Sequence, residues 1–152
     1  FEPFYMIDKE SEVWLAADSG STQNEDIKIG TFGDVTYGPG GVPLPFADVI
    51  RNVVAEAVRA DEVGVDAIIL GEHHRDDFAI STPETILAGI ATATSRILLS
   101  SGVTVLSSDD PIRVFQRFAT IDALSHGRAE IIVGRGSFTE SFPLFGYKLE
   151  DY

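Results

Sequence analysis

The chain contains no cysteine. Disulfides, thiolate zinc sites and cysteine nucleophiles are therefore excluded together, and the expected location is the cytoplasm. No apolar run approaches the ~20 residues that a membrane-spanning helix needs, so no membrane contact is expected. A basic segment followed by an apolar one, the mark of a secretory signal, is not visible either. Positive charge is scarce: 11 Lys and Arg face 24 Asp and Glu, for a formal net charge of −13. Binding polyphosphate needs a cationic face, which argues against nucleic acid as a partner. Two catalytic signatures are missing as well. There is no Gly-Lys-Ser/Thr of a phosphate-binding P-loop and no Gly-x-Ser-x-Gly elbow of a hydrolase.

What is present is the make-up of a globular chain, 44% apolar and 23% charged over 152 residues, enough for one hydrophobic core. The charge is uneven. Residues 1–26 hold seven acidic side chains and one basic one. This makes them a separate compositional unit, which ends in the polar stretch from Asp18 to Asp26. From Ile27 a regular alternation begins. Ile27 to Val35 reads as a strand, followed by the turn-rich Tyr37-Gly38-Pro39-Gly40-Gly41. Pro45 to Val63 reads as a helix, because Val49, Ile50, Val53, Val54, Ala57 and Val58 form one apolar stripe, and Gly64 stops it.

Val65 to Leu70 is the second strand, mostly apolar rather than alternating, as a strand covered on both faces should be. Ser81-Thr82-Pro83-Glu84 opens the second helix, with Ser81 and Glu84 at capping-box spacing, and it runs to about Thr94. Arg96 to Leu106 is the third strand. Asp109-Asp110-Pro111 opens the third helix, which runs to Leu124 and ends at His126-Gly127. Arg128 to Val133 is the fourth strand. Strands starting near 27, 65, 96 and 128, with helices between them, predict βαβ units and a parallel sheet. The pattern leaves two architectures open, a doubly wound sheet or an arc of a (β/α)8 TIM-type barrel.

In both architectures ligands gather at the C-terminal ends of the strands. The residues there are Gly33-Asp34, Gly71-Glu72-His73-His74, Ser101-Gly102 with Ser107 to Asp110, and Gly134-Arg135-Gly136-Ser137. Adjacent residues on a strand point to opposite faces, so His73 and His74 have different surroundings. A histidine titrates near neutrality and can donate or accept a proton. The plainer alternative is a solvent-exposed polar loop. A metal site built on His73, His74 and Asp76 is weaker, because the two neighbouring imidazoles do not both point inward. Gly134-Arg135-Gly136-Ser137 offers close backbone approach, a guanidinium and a hydroxyl, which suits a phosphate, and equally a tight turn with a surface arginine.

Six short stretches in order carry a resemblance. They are Glu72-His73-His74, Gly102 to Leu106, Asp110 to Arg113, Leu124 to Arg128, Gly134-Arg135-Gly136 and Phe145-Gly146. Together they resemble the amino-terminal half of the bacterial luciferase-like family over Ile27 to Tyr152. The resemblance implies a flavin-dependent monooxygenase on a (β/α)8 barrel, of which only the first four β/α units are present. It implies reduced FMN, or a deazaflavin, as cofactor, and transfer of one oxygen of O2 to a small organic substrate. A flavin reductase is the candidate source of electrons, and a homodimer is the expected assembly. His73 would then be the catalytic acid/base, supported by Glu72 and His74. Arg135 would contact the flavin phosphate, with Gly134, Gly136 and Ser137 beside it. Gly102-Val103 would lie under the flavin ring, at a bulge or non-proline cis peptide, with Ser101 and Thr104 offering polar groups. Two departures accompany the resemblance: a family member has about twice this length, and it starts close to the first strand. The expectation is therefore part of a longer protein, with a non-catalytic flavin- or partner-binding half barrel as the alternative, and a metal-dependent barrel hydrolase as the third reading.

Overall fold

The computed structural model describes residues 5–6, 13–16, 28–32, 37–136 and 138–151. Three strands open the chain: β1 (Tyr5–Met6), β2 (Val13–Ala16) and β3 (Lys28–Phe32), paired antiparallel in that order. The acidic first segment thus contributes two short strands to the main sheet. The polar stretch from 18 to 26, and Gly33-Asp34, lie outside the described residues. A two-stranded ribbon of β4 (Tyr37–Gly38) and β5 (Val42–Pro43) closes over the turn predicted there. Gly40 and Gly41 both take positive φ in that turn, 78° and 72°.

The strictly alternating part follows: α1 (Phe46–Val63), β6 (Ala67–Leu70), α2 (Pro83–Ala93), β7 (Leu98–Val105), α3 (Pro111–Ser125), β8 (Ala129–Gly134) and the short α4 (Ser141–Phe145). The main sheet has the order β1-β2-β3-β6-β7-β8, and the pairs β3–β6, β6–β7 and β7–β8 are parallel. Along the parallel part, neighbours in the sheet are neighbours in the chain. A doubly wound sheet reverses its order at a switch point; no such reversal is present among these four strands.

One core cluster joins three helices to two strands. It contains Val53 and Ala57 of α1, Leu87 and Ile90 of α2, Val114, Phe118 and Ile121 of α3, and Ile68, Leu70 and Leu99 of the sheet. All three helices therefore cover the same face of the sheet. The predicted stripe of α1 is the one that is buried: Val49, Val53 and Ala57 are at most 2% exposed. Burying a side chain of this size contributes about 1.5–3 kcal/mol, so this face, rather than helix propensity, holds α1 in place.

Chain ends of the helices follow the sequence with one exception. Gly64 caps α1 at φ 90°, and His126 caps α3 at φ 59° before Gly127. Asp110 caps α3, its carboxylate accepting from Ile112 and Arg113 N–H at 2.8 and 3.0 Å. The capping box expected at Ser81 and Glu84 does not form. Thr82 is the cap residue of α2 and makes no side-chain cap bond. Glu84 instead pairs with Arg117 of α3 at 3.0 Å. An ion pair between two helices has taken the carboxylate that a capping box would use.

A polar network ties the end of the sheet opposite the strand C-termini. Arg128 donates to the carbonyls of Ala91, Thr94, Ile97 and Ser125 at 2.8–3.0 Å. It thereby caps the C-terminal end of α2 with a cation, where orphan carbonyls collect. Asp61 accepts from the backbone N–H groups of Ser95, Arg96 and Ile97 beside it. The sequence reading found nothing notable at that end. The structure places there the two charged residues with the most internal bonds to backbone described here.

Candidate functional site at the strand ends

β6 runs into Gly71, and Glu72, His73 and His74 follow it outside regular secondary structure. Glu72 and His74 bond to each other, whereas His73 packs among other residues. His74 Nε2 lies 2.8 Å from Glu72 Oε1. Glu72 Oε2 accepts from the backbone N–H of Val105 at 2.9 Å, which ties the end of β6 to the end of β7. The two side chains are 9% and 10% exposed. A carboxylate buried this far needs its oxygens occupied, and both are.

His73 is held differently. Its backbone N–H donates to Ile80 O at 2.9 Å, closing the loop 73–80. Its ring packs on Phe78 with centroids 4.1 Å apart and meets Phe138 edge-on at 5.6 Å. Arg75 lies over Phe138, 4.8 Å from its centroid, and bonds Asp77 twice at 2.7 Å. A Cβ at Gly71 would come within 3.1 Å of His73 Nε2, so the ring would have to shift by a few tenths of an ångström. His74 meets Phe145 of α4 edge-on at 5.0 Å.

β7 brings the third part. The peptide between Gly102 and Val103 is cis, and the register against β8 shifts between Gly102 and Thr104. Gly134 of β8 packs against Val103, where a Cβ would sit 3.1 Å from the valine side chain. Gly136 takes φ 85° and lies against Val105. Beneath this wall, Thr104 Oγ1 donates to Ser101 Oγ at 2.9 Å, and both residues are at most 3% exposed.

These elements enclose a cavity of about 110 Å³. Its wall includes Glu72, His73, His74, Gly102, Val103 and Gly136 from the expected set. Ser101, Thr104 and Gly134 lie outside the lining, in the sheet below or beside it. Arg135 is exposed on the same rim, its carbonyl held by Ser107 Oγ at 3.0 Å. Ser137 lies outside the described residues. Val105, Phe138, Glu140 and Ser141 complete the wall and were not singled out from the sequence. Glu140 and Ser141 precede and open α4, an element too short to leave a periodic signal. Among the described residues, no three His, Asp or Glu side chains converge as a metal ligand set. His74 is bonded to Glu72, and Asp76 is exposed.

Comparison with known proteins decides the family. A family model described as luciferase-like monooxygenase matches residues 26–152. The chain belongs to the luciferase-like monooxygenase family. Among relatives in this luciferase-like family, the N-acetyl-S-alkylcysteine monooxygenase of Bacillus subtilis strain 168 is 34% identical over 90 residues, 59% of this chain and 27% of that protein. Two solved structures share the fold. One is the oxygenating constituent of 3,6-diketocamphane monooxygenase from Pseudomonas putida, a complex with FMN, with TM-score 0.68 and 22% identity over 77% of this chain and 32% of that one. The other is the coenzyme F420-dependent tetrahydromethanopterin reductase of Methanopyrus kandleri, with TM-score 0.54 and 20% identity over 79% of this chain and 29% of that one. The chain spans about a third of the length of the curated relatives it matches. Among the described residues no helix is long and apolar enough to cross a membrane.

Proposed function

We propose that residues 27–152 form the first four β/α units of a (β/α)8 barrel and carry the catalytic wall of a flavin-dependent monooxygenase. The observation that carries this reading is the convergence of His73, the Glu72–His74 pair, Gly102-Val103 and Gly136 on one cavity at the strand C-termini. The sequential order of the four parallel strands, with all helices on one face, supports an arc of a barrel. Family membership supports the chemistry proposed for it, with reduced FMN, O2 and a small organic substrate. F420 use by a structural neighbour keeps a deazaflavin as the second cofactor class.

The residues fit a flavin by type. A cavity of about 110 Å³ has room for a few atoms and not for three fused rings. The ring would therefore lie across the mouth, against the backbone of Gly102-Val103 and Gly136, with His73 as the acid/base beside it. Ser101 and Thr104 brace that wall from below. Arg135, with Gly134 and Ser137 flanking it, is assigned to the phosphate, since a guanidinium pairs with phosphate bidentately. A bound flavin supplies the redox and oxygen chemistry, while these residues orient it, exclude water and handle protons. A flavin reductase as electron source, and a homodimer, belong to the same proposal. The name of the Pseudomonas putida structure, an oxygenating constituent, supports the first.

Titration with FMN, followed by quenching of flavin fluorescence, tests the reading. The native chain is expected to bind, and Arg135→Ala to weaken binding about 10-fold or more, the loss of one charge-assisted phosphate contact. No binding by the native chain, or an unchanged Kd in the variant, would overturn the flavin site as assigned.

A further inference from the structure

Glu72 and His74 stand in a wall shared by two cavities. On one side is the candidate site of about 110 Å³. On the other is a recess of about 360 Å³, bordered by Ser81, Thr82, Ser108 and Tyr147. Among the residues that line either space, these two alone line both. The partition is thus a buried hydrogen-bonded carboxylate and imidazole, 2.8 Å apart, at a place where two apolar side chains would seal better and cost less to bury.

The bonding gives the pair a polarity. Glu72 Oε2 is taken by the Val105 N–H, and Oε1 faces His74 Nε2. A carboxylate has only acceptor positions, so in the neutral ring Nε2 carries the proton and Nδ1 is the acceptor. The ring meets Phe145 edge-on, with centroids 5.0 Å apart.

We propose that the Glu72–His74 pair is a proton path between the candidate site and the outer recess. The proposal rests on the flavin reading, because a ring laid across the cavity mouth closes the direct route from water. A proton taken up at Nδ1 releases the Nε2 proton to Oε1 of Glu72, which passes it into the small cavity. One proton enters at Nδ1 for each that leaves Oε1, so the charge of the pair is unchanged, and a half-turn of the ring then presents the protonated Nδ1 to Glu72 and the bare Nε2 to the recess for the next transfer. The other titratable and charged groups facing the pair are His73 and Glu140 from the cavity, and Glu84, Asp109, Asp110, Arg117 and Tyr147 from the recess. Arg117 is ion-paired with Glu84 and Asp109, and Asp110 caps α3. Four of the recess groups are thus bound to one another or to the backbone, and the Glu72–His74 pair is the titratable contact between the two spaces.

The test uses FMN bound to the protein and reduced electrochemically, so that the electron source releases no protons. Each FMN gains two electrons and draws protons from the medium, which a pH-indicator dye follows. His74→Phe is expected to slow proton uptake at least 10-fold at saturating FMN, and added imidazole to restore it. Glu72→Gln is expected to slow it as well. Circular dichroism checks each fold, and His74→Gln replaces the phenylalanine variant if that one does not fold. Native uptake rates in the variants, or a slow rate that imidazole leaves unchanged, overturn the path while the flavin reading stands. Absence of FMN binding by the native chain overturns both.

Discussion

Asp61 shows what one side chain does for this fold. It sits in the last turn of α1, where a negative charge opposes the helix dipole, and it is only 9% exposed. Burial pushes its carboxyl pKa up. The backbone N–H groups of Ile97, Ser95 and Arg96, with the Arg96 charge, outweigh this and hold it below its usual 3.8. Removing the carboxylate strands those donors, of which the Ile97 N–H is buried. Asp61→Ala is expected to cost about 2–4 kcal/mol in urea unfolding. Because the folded pKa is depressed, the contribution is complete above the unfolded value of 3.8 and is lost as pH falls through the lower folded value. Asp61→Asn should therefore flatten the acid limb of the stability profile; an unchanged limb would refute the assignment. Nothing in the sequence marks this role. Asp61 reads as one more charge at the end of an amphipathic helix, and its partners lie 34–36 residues away.

Elements were the most legible level. The apolar stripe places α1 within one residue of its observed start, and Gly64 stops it as expected. Asp110 was legible as a cap because its residue type and the following proline both fit a first turn. Asp110→Ala is expected to destabilise by about 0.5–2 kcal/mol, shifting the urea midpoint with an unchanged slope. A loss under a few tenths of a kcal/mol would mean that solvent satisfies the Ile112 and Arg113 N–H groups. At the start of α2 the spacing misleads. Ser81 and Glu84 have the right spacing, but spacing is blind to Arg117, 33 residues on, which takes the glutamate. Likewise Glu72 and His74 were visible as types at a strand end, whereas Val105 N–H as their anchor was not.

At the scale of the molecule, the parallel order was legible from the strand spacing, and the pairing of the acidic segment's β1 and β2 onto β3 was not. Short strands in a polar context carry little periodic signal. The far edge of the sheet is β8, and it is apolar on both faces: Ile131, Ile132 and Val133 are 42%, 43% and 50% exposed. A groove of about 460 Å³ runs between it and Phe115 and Phe118 of α3. An exposed apolar edge strand templates pairing with another chain. The 152-residue chain is therefore expected to self-associate with rising concentration in light scattering, and Ile132→Lys to reduce this without loss of helical circular dichroism. A monodisperse monomer for the native chain would contradict the expectation.

The two ends of the sheet share no side chain. Asp61, Arg96 and Arg128 clamp one end, and the histidines, glycines and aromatics ring the other. Changes at the rim therefore leave the clamp untouched, and substitutions separated in this way add nearly independently. A sheet built like this can take new loops at its rim while its melting point stays close to where the far end set it.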